Sequence, residues 1–178
     1  MQSKPGRASL LPNPTFDANA TPRTAQTILA AVNALLVQHS TASSVTVTGH
    51  SLGAALALLD AVYLPLHLPA GTLVHMVGYG LPRVGNAAFA DYVDRNGALT
   101  LKHVNNREDP IPILPGRFLG FAHPVGEVHI QDSGAWDACP GQDNPSTLCI
   151  VGDVPTVLEG HISDHLGPYD DGIYISSC

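Results

Sequence analysis

The sequence predicts an α/β fold, a mostly parallel sheet with helices on both faces. Three observations predict it. Runs rich in β-branched residues alternate with Ala- and Leu-rich runs at the spacing of βαβ units. One strand candidate, Leu73 to Gly80, is apolar without alternation, as expected of a parallel strand covered on both sides. A glycine-flanked turn, Gly49-His50-Ser51-Leu52-Gly53, joins a strand candidate directly to a helix candidate. Right-handed crossovers would then distribute the helices over both faces.

The elements follow in order. Residues 1–20 are rich in proline and glycine and carry no periodic pattern, so they read as irregular or disordered. Residues 21–178 read as a single domain. Thr21-Pro22 opens a helix, with threonine as N-cap and proline in the first turn. Ile28, Val32, Leu35, Leu36 and His39 continue it as an apolar stripe to about residue 39. Ser44 to Thr48 is β-branched and reads as a strand. Leu52 to Leu64 reads as a helix stopped by Pro65 and Pro69. After the 73–80 strand, Asn86 to Asn96 reads as a helix with Phe89, Tyr92 and Val93 inward and Gly97 as its stop. Leu99 to Val104 is the next strand, Pro110 to Phe121 an apolar loop with three prolines, and Glu127 to Ile130 a short late strand. Residues 132–160 read as irregular, and Ser163 or Asp164 is expected to cap a last short helix.

Composition narrows the function classes. A chain of 178 residues, 44% hydrophobic and 13% charged, suits one domain with a substantial core. A formal net charge of −7 argues against nucleic-acid binding, which needs a basic face. No run of 18 apolar residues is present, so no membrane span is expected. The first residues carry positive charge but no apolar stretch behind it, so no signal peptide is read there. Of three cysteines, Cys139 and Cys149 lie close together in a turn-rich loop and Cys178 is the last residue. A Cys139–Cys149 disulfide is the favoured arrangement, three reduced cysteines the alternative. Asn19-Ala20-Thr21 is a glycosylation sequon of low specificity.

The turn at 49–53 carries the chemistry. A G-x-S-x-G between strand and helix is the nucleophile elbow of α/β-hydrolases: the strained turn exposes a serine Oγ, and the helix N-terminus points free amide groups at developing negative charge. A side chain on either flanking glycine would be expected to collide with neighbouring backbone. The same five residues also fit an ordinary strand-to-helix turn, so a base and an acid must be found. Along the chain they would follow in the order Ser, acid, His. Asp109 follows a strand and precedes the proline-rich loop, where active residues of such sheets sit. Asp91 and Asp94 lie within a helix and should face solvent, and Asp132 is a weaker candidate. Among nine histidines, His39 and His67 read as surface, His50 as pointing away from Oγ, and His75 and His103 as packing residues. His123, His129, His161 and His165 remain, and spacing divides the choice between His161 and His165.

From Val45 to Tyr169 the chain resembles the fungal (class 3) lipase family. The matching segments are Val47-Thr48-Gly49-His50-Ser51-Leu52-Gly53-Ala54-Ala55-Leu56-Ala57, then Tyr79-Gly80-Leu81-Pro82-Arg83-Val84-Gly85-Asn86 with Phe89 to Val93. Val104-Asn105-Asn106-Arg107-Glu108-Asp109-Pro110-Ile111-Pro112, Gly120 to Pro124, and Asp164-His165-Leu166 with Tyr169 follow in order. The resemblance implies an α/β-hydrolase in which Ser51 is nucleophile, Asp109 the acid and His165 the base, chosen over His161 for its Asp-His-Leu context. It implies the Leu52 N–H as one oxyanion donor, Ile111 and Leu114 as acyl-groove residues, and structural roles for Arg83 and His123. It also implies the Cys139–Cys149 disulfide and a bond from Cys178 to an N-terminal partner that this chain lacks.

Only 50 residues precede Ser51, fewer than in that family. The expectation is a truncated member without the first strands, the lid and the loop giving the second oxyanion donor, and with little or no activity of its own. The leading reading is a serine ester hydrolase acting on acylglycerols at a lipid–water interface. It would be monomeric and secreted, and would need no metal or cofactor. The alternatives are a feruloyl or other carboxylester hydrolase and, in a different class, a non-catalytic fragment.

Overall fold

The computed structural model describes residues 24–175. The expectations for residues 1–20, for capping at Thr21 and Pro22, for the sequon at Asn19 and for Cys178 lie outside the described residues. The first helix, α1, spans Thr24–Gln38 and buries no residue fully. Its half-buried Leu29, Val32 and Leu36 lean on the main core, whereas Leu35 is exposed. Strand β1 (Ser44–His50) runs into α2 (Leu52–Tyr63), which ends in a 3₁₀ turn over Leu64–Leu66. Strand β2 (Leu73–Tyr79), the two-residue β3 (Gly85–Asn86) and α3 (Ala87–Arg95) follow, then β4 (Leu99–Asn106). The Asn86 side chain caps α3 by accepting the Phe89 N–H.

Strands β1, β2, β4 and β6 (Glu127–Ile130) are parallel neighbours in that order, and β7 (Trp136–Cys139) closes the sheet antiparallel to β6. A separate two-stranded ribbon pairs β3 with β5 (Phe121–Ala122). The register aligns Val45 with Val74, Val47 with Met76 and Gly49 with Gly78, so these side chains share one face. Against that face pack Ala54, Ala57, Leu58 and Ala61 of α2 and Val93 of α3, forming the largest core cluster. On the opposite face, at the carboxyl ends of the strands, Tyr79, Val104 and Ile130 pack with Tyr169, which follows the last helix, α5 (Ile162–Leu166). Helices thus flank the sheet on both sides, as the alternating pattern predicts.

Three expectations are corrected. Residues 132–160 are not irregular throughout: they hold β7 and the short helix α4 (Ile150–Asp153), tied together by a Cys139–Cys149 disulfide with Cα atoms 5.8 Å apart. Both elements are four residues long and are set by antiparallel pairing and the cross-link, which leave no local periodicity to read. Tyr92 is exposed, because Ala90 takes the inward position one turn from Val93. The α3 helix stops at Asn96, whose side chain accepts the Ala98 N–H, rather than at Gly97.

Candidate active site

β1 delivers Ser51 to the carboxyl edge of the sheet with φ +56° and ψ −130°. A non-glycine residue there carries strain of about 1–3 kcal/mol and needs surrounding structure to hold it. The Ser51 N–H donates to the Tyr79 carbonyl on the neighbouring strand (2.9 Å), and the Ser51 carbonyl accepts from Ala54 and Ala55 in the first turn of α2. Gly49 makes the turn possible: a Cβ there would lie 2.3 Å from the Gly53 carbonyl oxygen. Gly53 differs, since a Cβ would meet nothing within 4 Å. The expected crowding therefore applies to Gly49 alone. Leu52 is the first residue of α2, so its N–H is among the helix's four amides without an intrahelical partner.

The structure separates the two histidine candidates. His165 Nδ1–H donates to Asp109 Oδ2 at 2.8 Å, with both side chains buried. Asp109 Oδ1 accepts the Ile111 N–H at 2.8 Å, fixing the carboxylate plane. His165 Nε2 is buried and has no hydrogen-bond partner among the described residues. Gly80, directly after the Tyr79 that holds Ser51, has φ +53°, and a Cβ there would stand 2.7 Å from His165 Nδ1 and 2.9 Å from Asp109 Oδ2. The Ser51 turn, Gly80 and the His165–Asp109 pair thus converge at one rim. His161 is exposed and forms an outer pair, its Nδ1 in contact with the Glu108 carboxylate and 4.0 Å from Asp164 Oδ2. Glu108, His161 and Asp164 are close enough together to ligate a cation. Glu127, Cys139 and Cys149 also cluster, but both sulfurs are consumed by the disulfide.

Sequence reasoning passed over the residues that hold this rim. His50, expected to point away from the serine, stacks on His165 with ring centroids 4.4 Å apart. Its Nε2–H donates to the His165 carbonyl at 2.7 Å, and the Tyr169 hydroxyl donates to the same oxygen at 3.2 Å. Asn106 Nδ2 donates to the Asp164 carbonyl. Position offered a signal: His50 precedes Ser51, and Tyr169 lies four residues beyond His165.

The loop from Ile113 to Leu119 and the segment from Val151 to Val157 line a largely apolar cavity of about 840 Å³, whose lining does not include Ser51, Asp109 or His165. Leu114 lines it; Ile111 is not among its lining residues. Arg83 braces this loop from below. Its guanidinium donates to the carbonyls of Ile113 and Pro115 and pairs with Asp143 at 2.7 Å. Asp143 in turn accepts the His123 N–H, and His123 Nε2–H donates to the Pro112 carbonyl. His123 stacks on His103 at 4.9 Å. Burial pulls both rings well below the usual histidine range, His103 to about 3 and His123 to about 4.

The family model for lipase (class 3) matches residues 14–119. This chain belongs to the class 3 lipase family. Its relatives include the secreted mono- and diacylglycerol lipase MDL3 of Malassezia globosa, 41% identical over 135 residues, which cover 74% of this chain and 42% of that protein. Another is the secreted mono- and diacylglycerol lipase LIP2 of Malassezia restricta, 35% identical over 70% of this chain and 38% of its own. Among solved structures, lipase II from Rhizopus niveus superposes with a TM-score of 0.69 at 31% identity, covering 82% of this chain and 54% of that one. The Rhizomucor miehei triacylglyceride lipase gives 0.68 at 30% identity, covering 83% and 54%. The chain spans about half the length of these structures, and somewhat less of the curated relatives it matches.

Proposed function

We propose that this chain carries the reaction centre of a serine carboxylic ester hydrolase acting on acylglycerols. The observation that carries the reading is the buried 2.8 Å pair between His165 Nδ1 and Asp109, with Nε2 left unpaired and Ser51 held in a strained turn after β1. In this reading Ser51 Oγ attacks the ester carbonyl as its proton passes to His165 Nε2. Asp109 orients the imidazole and stabilises its cation. The negative oxygen of the tetrahedral intermediate is met by the Leu52 N–H, an interaction of the kind worth about 3–4 kcal/mol. The intermediate collapses as His165 returns the proton to the leaving alkoxide, and water, deprotonated by the same ring, releases the acid and restores Ser51.

A fatty-acyl substrate is supported by the apolar cavity that Leu114 and Phe118 line and by the exposed Leu52, next to Ser51, and Ile162, three residues before His165. Burying such a chain contributes roughly 25 cal/mol per Å². Ile111, which does not line the cavity, would act through its amide on Asp109. The names of the relatives and the disulfide support secretion into an oxidising compartment.

The test is covalent labelling of residues 1–178 with a fluorophosphonate, alongside hydrolysis of p-nitrophenyl esters of increasing chain length. Weak labelling that maps to Ser51 and disappears in Ser51→Ala is expected, with slow hydrolysis whose rate grows with acyl length. Labelling that survives Ser51→Ala would overturn the reading.

A further inference from the structure

His50 does more than occupy the variable position of the turn. It is the last residue of β1 and adjoins Ser51, yet its ring touches the base rather than the nucleophile. The reason lies in α5. Five residues make little more than one turn, and a helix that short does not stand alone in water. Its terminal carbonyls therefore draw donors from elsewhere. The Asp164 carbonyl takes the Asn106 amide and the Gly167 N–H, and the Leu166 carbonyl takes the Ile175 N–H. The carbonyl of His165 itself takes His50 Nε2–H and the Tyr169 hydroxyl. His50 is the donor that links this carbonyl to the strand bearing the nucleophile. Tyr169 meets the His50 ring edge-on with centroids 6.2 Å apart and itself meets Tyr79 edge-on at 5.5 Å, so the His50 ring lies between His165 and a Tyr169 that is braced from β2.

We propose that His50 is a positioning residue for His165: its carbonyl hydrogen bond and ring stack fix where Nε2 points relative to Ser51. The inference rests on the reading of His165 as general base. The carbonyl bond needs His50 Nε2 protonated, and a neutral ring suffices. A cationic His50 would face the imidazolium that forms on His165 at 4.4 Å, and the two charges would repel. The groups facing His50 are His165 on α5, Tyr169 beyond it and its register partner Tyr79 on β2, with Asp109 on the far side of the His165 ring.

Two substitutions separate the contributions. His50→Phe keeps an aromatic ring and removes the donor; His50→Gln keeps an amide donor and removes the ring. Displacement of a base by about an ångström can cost on the order of 100-fold. The expected result is a fall of about 10- to 100-fold in kcat and in fluorophosphonate labelling for His50→Phe, with KM little changed. Recovery to within about tenfold of the parent is expected in His50→Gln. A second readout needs no turnover: the low-field proton resonance of His165 Nδ1–H should weaken or shift in His50→Phe and persist in His50→Gln. If both variants keep the resonance and the labelling rate of the parent, the proposal is overturned. If His165→Ala itself labels at the parent rate, it is the reading of the base that fails, and the resonance alone then decides whether His50 positions that ring.

Discussion

At the level of single residues, three glycines show why an identical letter in a sequence carries different weight. Gly49 has no room for a Cβ, Gly80 has neither room nor a φ suited to one, and Gly53 has open space. Gly49→Ala should drive a methyl into the α2 backbone and prevent the turn from forming, which loss of folded protein in a thermal melt would report. Gly80→Ala should push apart His165 and Asp109 and abolish fluorophosphonate labelling along with some stability. Gly53→Ala should do the opposite and raise stability by about 0.5–1 kcal/mol, since it sits in helix α2 where alanine is the better former. The sequence made the motif legible but not this difference, because crowding depends on how α2 settles over β1. The choice between His161 and His165 illustrates the same limit. Both stand in a polar stretch at helical spacing, and only the position of α5 against β4 assigns Asp109 to one and Glu108 to the other.

At the level of elements, β1, α2, β2, α3 and β4 were legible because each carries its own residue pattern, β-branched, helix-forming or uniformly apolar, and is long enough to display it. Leu58 of α2 is fully buried in the main core, so Leu58→Ala should cost about 2–5 kcal/mol in chemical denaturation. β7 and α4 had no such signature. Their order derives from pairing with β6, from the Glu127 carboxylate accepting the Ile150 N–H at 2.7 Å, and from the disulfide. Closing the loop between Cys139 and Cys149 stabilises by roughly 3 kcal/mol on a chain-entropy account. Replacing both cysteines with serine should lower the unfolding free energy by about that amount, with the change concentrated between β6 and α4.

For the molecule as a whole, the buried polar groups set a pH dependence. His103 and His123 have folded-state pKa values near 3 and 4, below the ordinary 6.5, so the unfolded chain binds more protons between those limits. Their contribution is complete above about pH 6.5 and is lost as pH falls toward 4 and then 3. Glu127 works in the other direction. Burial raises its pKa above 4.5, and the stability this gives its protonated form is lost as pH rises through the raised value. With two histidines strongly shifted, urea midpoints should fall on acidification from pH 7 to pH 5; a midpoint that stays level would contradict their burial as neutral rings.

The short helix bearing His165 has a further consequence. Its last carbonyls are held by donors from β1, from the end of β4 and from the chain near residue 175, so it has no hinge of its own about which to peel away. Amide protons around His165 should then exchange with deuterium at nearly the rate of the central strands rather than at the rate of a surface turn. His165 would lose its place only when the sheet beneath it opens.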